Sequence, residues 1–186
     1  MRGPDPRVRH GPGLAIGEAA TSFPHLVGVD GETYTLGSFE PYDALVLAFL
    51  GDACPAVKAC VEALVGLQRS LAPRAVRVIG VNSNNPYLSP RDTLAEMTGW
   101  AREMGLNFPY LKDLEGKLAR GLGVTNTPHF VVLDRKRRVR YRGRMFDSRD
   151  PVRATTRDLE DAVACVLDDR HVGVPETNPL GCSIVW

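Results

Sequence analysis

The sequence predicts an α/β fold: a central mixed sheet with helices on both faces and an N-terminal β-hairpin. Three observations carry that expectation. Residues 44–50 (ALVLAFL) are apolar without alternation, the pattern of a strand covered on both faces of a parallel sheet. Residues 76–81 form a second apolar run, and between the two Val57, Cys60, Val61, Leu64, Leu67 and Leu71 recur at helical spacing, so strand, helix and strand make a right-handed crossover. Residues 25–36 hold two short runs about Asp30-Gly31, a dipeptide suited to the positive φ angles of a tight hairpin turn.

The remaining elements follow in order. Pro55 fits the first turn of the crossover helix because its missing N–H would be unpaired there, and Pro73 marks the far limit. Ser89-Pro90-Arg91-Asp92 reads as the capped start of a second helix, with Leu94, Met97, Ala101 and Met104 on its inner face and Gly105 as its stop. A short segment around Phe108 and Leu111 and a helical stretch over residues 114–122 lead to hairpin strands at 130–133 and 138–144. A final helix starts near Thr155 and turns Leu159, Ala162, Val163 and Val166 inward. Residues 1–13, dense in Gly, Pro and charge, read as a disordered tail; residues 14–170 form the domain, and 171–186 a Pro-bearing tail that packs on it.

With 186 residues, 44% hydrophobic and 24% charged, the chain has material for one core and no room for a second domain. A net charge of +1 supplies no global field for nucleic acid or a membrane surface. The arginines at 138, 140, 142 and 144 alternate about Val139 and Tyr141, which fits a charged edge strand that discourages further pairing, not a nucleic-acid surface. The N-terminal residues lack the apolar stretch of a secretory signal, and the run at 44–50 is too short to span a bilayer, so a soluble, cytoplasmic protein is expected. His25, His129 and His171 show no ligand spacing with cysteines or carboxylates; no metal site and no cofactor are expected.

Four cysteines are too few for a disulfide scaffold in a chain this long. Cys54 lies between a strand and the helix that follows it, where unpaired N–H groups and the positive end of the helix dipole favour a thiolate. Cys60 belongs to the apolar face with Val57, Val61 and Leu64, and a disulfide to Cys54 would require unwinding of that helix. Cys165 sits among Asp158, Asp161 and Asp169, which disfavour ionisation, and reads as structural. Cys182 follows Gly181 in the tail: it is either a resolving thiol for Cys54 or a passenger on a segment docked by Ile184, Val185 and Trp186.

The order of motifs is Gly51-Asp52-Ala53-Cys54-Pro55, then Val81-Asn82-Ser83-Asn84, then Thr127-Pro128 before a strand, then residues 141–144 (YRGR), then Gly181-Cys182-Ser183-Ile184. It resembles the peroxiredoxin-like branch of the thioredoxin superfamily, within the broad alkyl hydroperoxide reductase and thiol-specific antioxidant family. The resemblance implies a thioredoxin-like fold and a cis peptide bond at Thr127–Pro128, beside a reactive Cys54. It also implies a thiol-dependent oxidoreductase acting on a peroxide or disulfide and served by a reducing thiol or a thioredoxin-type protein. On this reading Cys54 and Cys182 are the catalytic candidates, and Thr127, Pro128, Asn82 and Gly51 shape the substrate site. The chain departs from its relatives at Gly51, where thioredoxins carry the first cysteine of C-x-x-C. In the peroxiredoxin pattern P-x-x-x-T-x-x-C, Leu47 and Gly51 stand at the proline and threonine positions. A local dithiol is therefore absent, and the opposing reading is an interaction module that has lost redox activity.

Overall fold

The computed structural model describes residues 10–186. Seven strands form one sheet in the spatial order β2 (Thr33–Tyr34), β1 (Leu26–Gly28), β5 (Tyr110–Lys112), β4 (Val76–Asn82), β3 (Ala44–Phe49), β7 (His129–Leu133) and β8 (Val139–Gly143). The N-terminal hairpin, β1 (Leu26–Gly28) and β2 (Thr33–Tyr34), turns at Asp30-Gly31 as the sequence predicts; Gly31 has φ +85° and Asp30 accepts from the Glu32 N–H and the Tyr34 hydroxyl. The strand β3 (Ala44–Phe49), the helix α1 (Pro55–Leu71) and the strand β4 (Val76–Asn82) form the parallel crossover, with Ala44 opposite Val76 and Phe49 opposite Val81. Further along come α2 (Leu94–Glu103), β5 (Tyr110–Lys112), α3 (Lys117–Gly121), β7 (His129–Leu133), β8 (Val139–Gly143) and α4 (Asp158–Leu167). A separate two-stranded pair joins β6 (Asn126–Thr127) to β9 (Cys182–Ser183).

The unbroken apolar pattern of β3 has its predicted cause. Ala44, Val46 and Ala48 meet Val57 and Leu64 of α1, Met97 of α2 and Leu159 and Val163 of α4, while Leu45, Leu47 and Phe49 meet Phe39 and the α3 residues Leu118 and Ala119. Every β3 side chain is buried, and each large one contributes roughly 1.5–3 kcal/mol through removal from water. The sheet thus has helices on both faces.

Several boundaries differ from expectation for local hydrogen-bonding reasons. The second helix is capped by Thr93, whose hydroxyl accepts from the Glu96 N–H, because Ser89 is engaged with Asp92 in a preceding 3-10 turn. The last helix begins at Asp158 and not near Thr155, since Thr155 and Thr156 donate their backbone N–H groups to the Asp147 carboxylate at 2.8 and 3.1 Å. The predicted disordered tail falls partly outside the described residues. Its last part, residues 10–13, is instead laid against the loop after α3, with the Gly11 N–H donating to Gly123 O and Gly13 bridging Leu122.

The arginine strand also departs from expectation. The strand β8 does lie at the sheet edge, but residues 175–177 cover it, through Arg142 N to Pro175 O and Thr177 N to Arg142 O. Arg142 is buried and donates to Glu176 at 2.5 Å and to the carbonyls of Leu14 and Leu122. Arg140 pairs with Asp134 and Arg144 with Asp158. These arginines fasten loops to the sheet; a bare charged edge is not present.

Candidate active site around Cys54 and Cys182

The topology gathers one end of the sheet. Strands β3, β4 and β5 are parallel, so Leu50, Asn82 and Lys112 emerge together, and antiparallel β7 starts there because His129 pairs with Phe49. The segments 51–54, 82–85 and 127–128 therefore converge where open α/β sheets place their chemistry. The Thr127–Pro128 bond is cis, as the motif order implies.

Cys54 is the N-cap of α1, with extended backbone (φ −78°, ψ 118°), Pro55 at the first helical position and no acidic residue in the first turn. Its Sγ lies 3.2 Å from Thr127 O and 2.9 Å from Cys182 Sγ. The second contact follows from β-pairing: β9 runs antiparallel to β6 with Cys182 opposite Thr127. Gly181 is required for that approach, because a Cβ there would fall 1.9 Å from Thr127 O. A disulfide needs about 2.05 Å between sulfurs, so closure asks for a shift of under roughly 1 Å.

The two sulfurs differ in exposure and proton affinity. Cys54 is only 5% exposed, whereas Cys182 faces solvent. Burial opposes ionisation of Cys54, but the Cys182 thiol, the backbone N–H groups of Val57 and Cys182 and the Thr127 side chain outweigh it and lower its pKa. Cys182 moves the other way, to about 11, because its S–H is held by the Cys54 sulfur, with burial and the Cys54 charge acting in the same direction and Arg149 opposing. Of the two, Cys54 is thus the more readily ionised and Cys182 the one that holds its proton more firmly. Cys60 is buried on the apolar face, and burial pushes its thiol up to about 12. Cys165 is half-buried on α4.

The tail carrying Cys182 is clamped to the domain along its length from Thr127 to Asn85. Ile184 is buried and donates its N–H to Thr125 O. Asn85 N donates to Val185 O at 2.7 Å, and Val185 N to the Asn84 side chain at 3.0 Å. Arg120 stacks over the Trp186 ring at 4.1 Å.

Behind the cysteines lies a buried polar cluster, of which the sequence motifs held Asp52, Asn82 and Asn84 but not Tyr110 or Lys112. Asp92 accepts from the Asp52 backbone N–H, from Asn82 Nδ2 at 2.6 Å, from Asn84 Nδ2 at 3.0 Å and from the Ser89 hydroxyl. Lys112 Nζ donates to Asn82 Oδ1, Asn84 O and Asp92 O at 3.1, 2.6 and 2.7 Å. The Tyr110 hydroxyl donates to Asp52 Oδ1 at 2.5 Å, leaving Asp52 Oδ2 buried without a partner. Burial pushes the Asp52 carboxyl up to about 7, with the Asp92 charge adding and the Tyr110, Lys112 and Asn82 contacts opposing. Asn82 does not itself line the substrate site that the resemblance implies. It is fully buried, and its amide is committed to Asp92, Tyr110 and Lys112, so it holds the loop that Asn84 extends to the tail.

Gly51 has a steric reason. A Cβ there would lie 2.7 Å from Asn84 Nδ2 and 3.2 Å from Thr127 Oγ1. Asn84 cannot yield cheaply, because its amide is tied to both Asp92 and Val185. Gly51→Cys is therefore expected to displace Asn84 and loosen the tail without creating a working C-x-x-C pair, at a cost of roughly 1–3 kcal/mol. Chemical denaturation checks the loss, and a Gly51→Cys protein as stable as the parent that forms a 51–54 disulfide would contradict it.

A model of the AhpC/TSA family matches residues 16–142. Among solved structures, a hypothetical protein from Sinorhizobium meliloti is 32% identical, with a TM-score of 0.86 over 95% of this chain and 97% of that chain. An uncharacterized conserved protein from Geobacillus kaustophilus is 31% identical, with a TM-score of 0.87 over 96% of this chain and 95% of that one. More distant neighbours are peroxiredoxins and thioredoxin-like thiol–disulfide oxidoreductases. One, the peroxidoxin BcpB from Mycobacterium tuberculosis, is 18% identical with a TM-score of 0.57 over 68% of this chain and 83% of that one, a likeness of fold alone. Among curated proteins no significant match is found.

Proposed function

The chain belongs to the AhpC/TSA family, and from that premise we propose that it is a thiol oxidoreductase whose redox unit is the Cys54–Cys182 pair. The observation that carries this reading is the 2.9 Å approach of the buried Cys54 sulfur to the exposed Cys182 sulfur.

In the oxidising half of the cycle the Cys54 thiolate attacks an electrophilic oxygen or sulfur. With a peroxide, the O–O bond breaks, Cys54 becomes a sulfenic acid and the alcohol or water departs; the Cys182 sulfur then displaces water and forms the disulfide. With a disulfide, a mixed disulfide on Cys54 is resolved by Cys182, releasing the substrate thiol. The second route suits this site better. Gly51 stands where peroxide-reducing relatives hold a threonine, and Asn84 fills the space that a side chain would need. In the reducing half, an external thiolate attacks Cys182, the exposed sulfur, and Cys54 leaves as the more stable thiolate. The alternative of a redox-inactive module is disfavoured by this division of roles between the two sulfurs.

The test is intact-protein and peptide mass spectrometry after one equivalent of a small disulfide or of hydrogen peroxide. Loss of two hydrogens with a crosslinked Cys54–Cys182 peptide is expected. Equal, slow modification of all four cysteines would overturn the proposal.

A further inference from the structure

Beside Cys182 lies an open pocket of about 320 Å³, lined by Pro55, Ala56 and Ala59 of the first turns of α1, by Gly181 and Cys182, and by Arg149. Its walls are apolar apart from the sulfur and one guanidinium. The loop bearing Arg149 is fixed at both sides: Asp147 accepts from the N–H groups of Thr155 and Thr156, and the Ser148 hydroxyl accepts from the Asp150 N–H. Both neighbouring carboxylates are committed, Asp147 to those threonines and Asp150 to Arg153 and the Val152 N–H. Arg149 itself makes no ion pair among the described residues, yet its charge reaches Cys182 and draws its thiol toward ionisation. It also lines a narrow cleft with Pro128 and Leu180, between the cis-proline turn and the tail.

We propose that this pocket selects the reductant, and that Arg149 recognises the carboxylate of a low-molecular-weight thiol while that thiol's sulfur attacks Cys182. The inference rests on the reading of Cys54–Cys182 as a reducible pair. Small apolar walls accept the methylene chain, and an exposed guanidinium without an ion pair among the described residues, carried on a hydrogen-bonded loop beside them, suits a planar anion. The incoming thiolate bonds to Cys182 Sγ, the Cys54–Cys182 bond breaks, and its electron pair goes to Cys54, leaving a mixed disulfide on Cys182. A second thiolate attacks the outer sulfur, forming the small-molecule disulfide and returning Cys182 as a thiol with a proton from solvent. Two thiols are oxidised and one protein disulfide is reduced.

The experiment takes the oxidised full-length protein and follows its reduction by 3-mercaptopropionate, 2-mercaptoethanol and cysteamine, with rates compared per thiolate. For the parent, the anionic thiol should lead the neutral one by about three- to fivefold, the cation should trail, and high salt should compress the series. Arg149→Lys should keep the order and Arg149→Glu should invert it. The same order of thiols in the parent and in Arg149→Glu would overturn the inference and leave the redox pair standing. Failure to obtain a Cys54–Cys182 disulfide, visible before any thiol is added, would overturn the functional reading and this inference with it.

Discussion

Cys54→Ser should lower turnover of a disulfide or peroxide substrate by about a thousandfold or more, since no other thiol among the described residues is both near the open end of the sheet and favoured as a thiolate. Cys182→Ala should behave differently. Its Cys54 keeps the helix N-terminus and the Val57 N–H but loses the S–H donor, so the midpoint of its alkylation profile should rise toward the ordinary thiol value. It should still be oxidised, but without resolution, and the sulfenic acid or mixed disulfide should accumulate and proceed to sulfinic acid under excess peroxide. Alkylation rate against pH and mass spectrometry of each variant separate the two roles. If Cys182→Ala cycles as fast as the parent with the same profile, an external thiol resolves Cys54 and Cys182 has no part.

The crossover and the position of Cys54 were legible because both rest on local signals: two unbroken apolar runs, a helical stripe between them, and Pro55 at the helix start. The order of motifs also pointed to the cis bond at Thr127–Pro128. What stayed hidden depends on distant pairings. Gly51 looked like a lost cysteine, but its lack of a side chain makes room for Asn84, thirty-three residues later in the chain, which in turn ties down Val185. That the tail packs on the domain was expected, but not where: Gly181 is the residue that lets β9 approach Thr127. Arg149 carried no motif, and the loop hydrogen bonds that present it to Cys182 leave no periodic trace.

Asp52 sits two residues before Cys54, where a charged residue in a loop after an apolar strand suggests solvent, and the structure buries it instead. Its carboxyl has a folded pKa of about 7 against an ordinary value near 3.8, chiefly through burial. The direction of the pH effect follows. Between about pH 4 and pH 7 the folded chain retains a proton that the unfolded chain has released, so stability falls as pH rises through that window and levels off above it. The Tyr110 hydroxyl stays protonated throughout, its own pKa raised well above 10 by burial and by Asp52, and remains the donor to Oδ1. Asp52→Asn preserves that acceptor and removes the ionisation. Relative to the parent, the variant should therefore gain on the order of 2–4 kcal/mol of stability between pH 4.5 and pH 8, whatever its absolute stability at either end. Urea denaturation of both proteins at pH 4.5, 6 and 8 measures the difference directly. Parallel stability profiles would mean that Asp52 is ionised in the folded protein across the whole range, with its second oxygen paired to water or a cation.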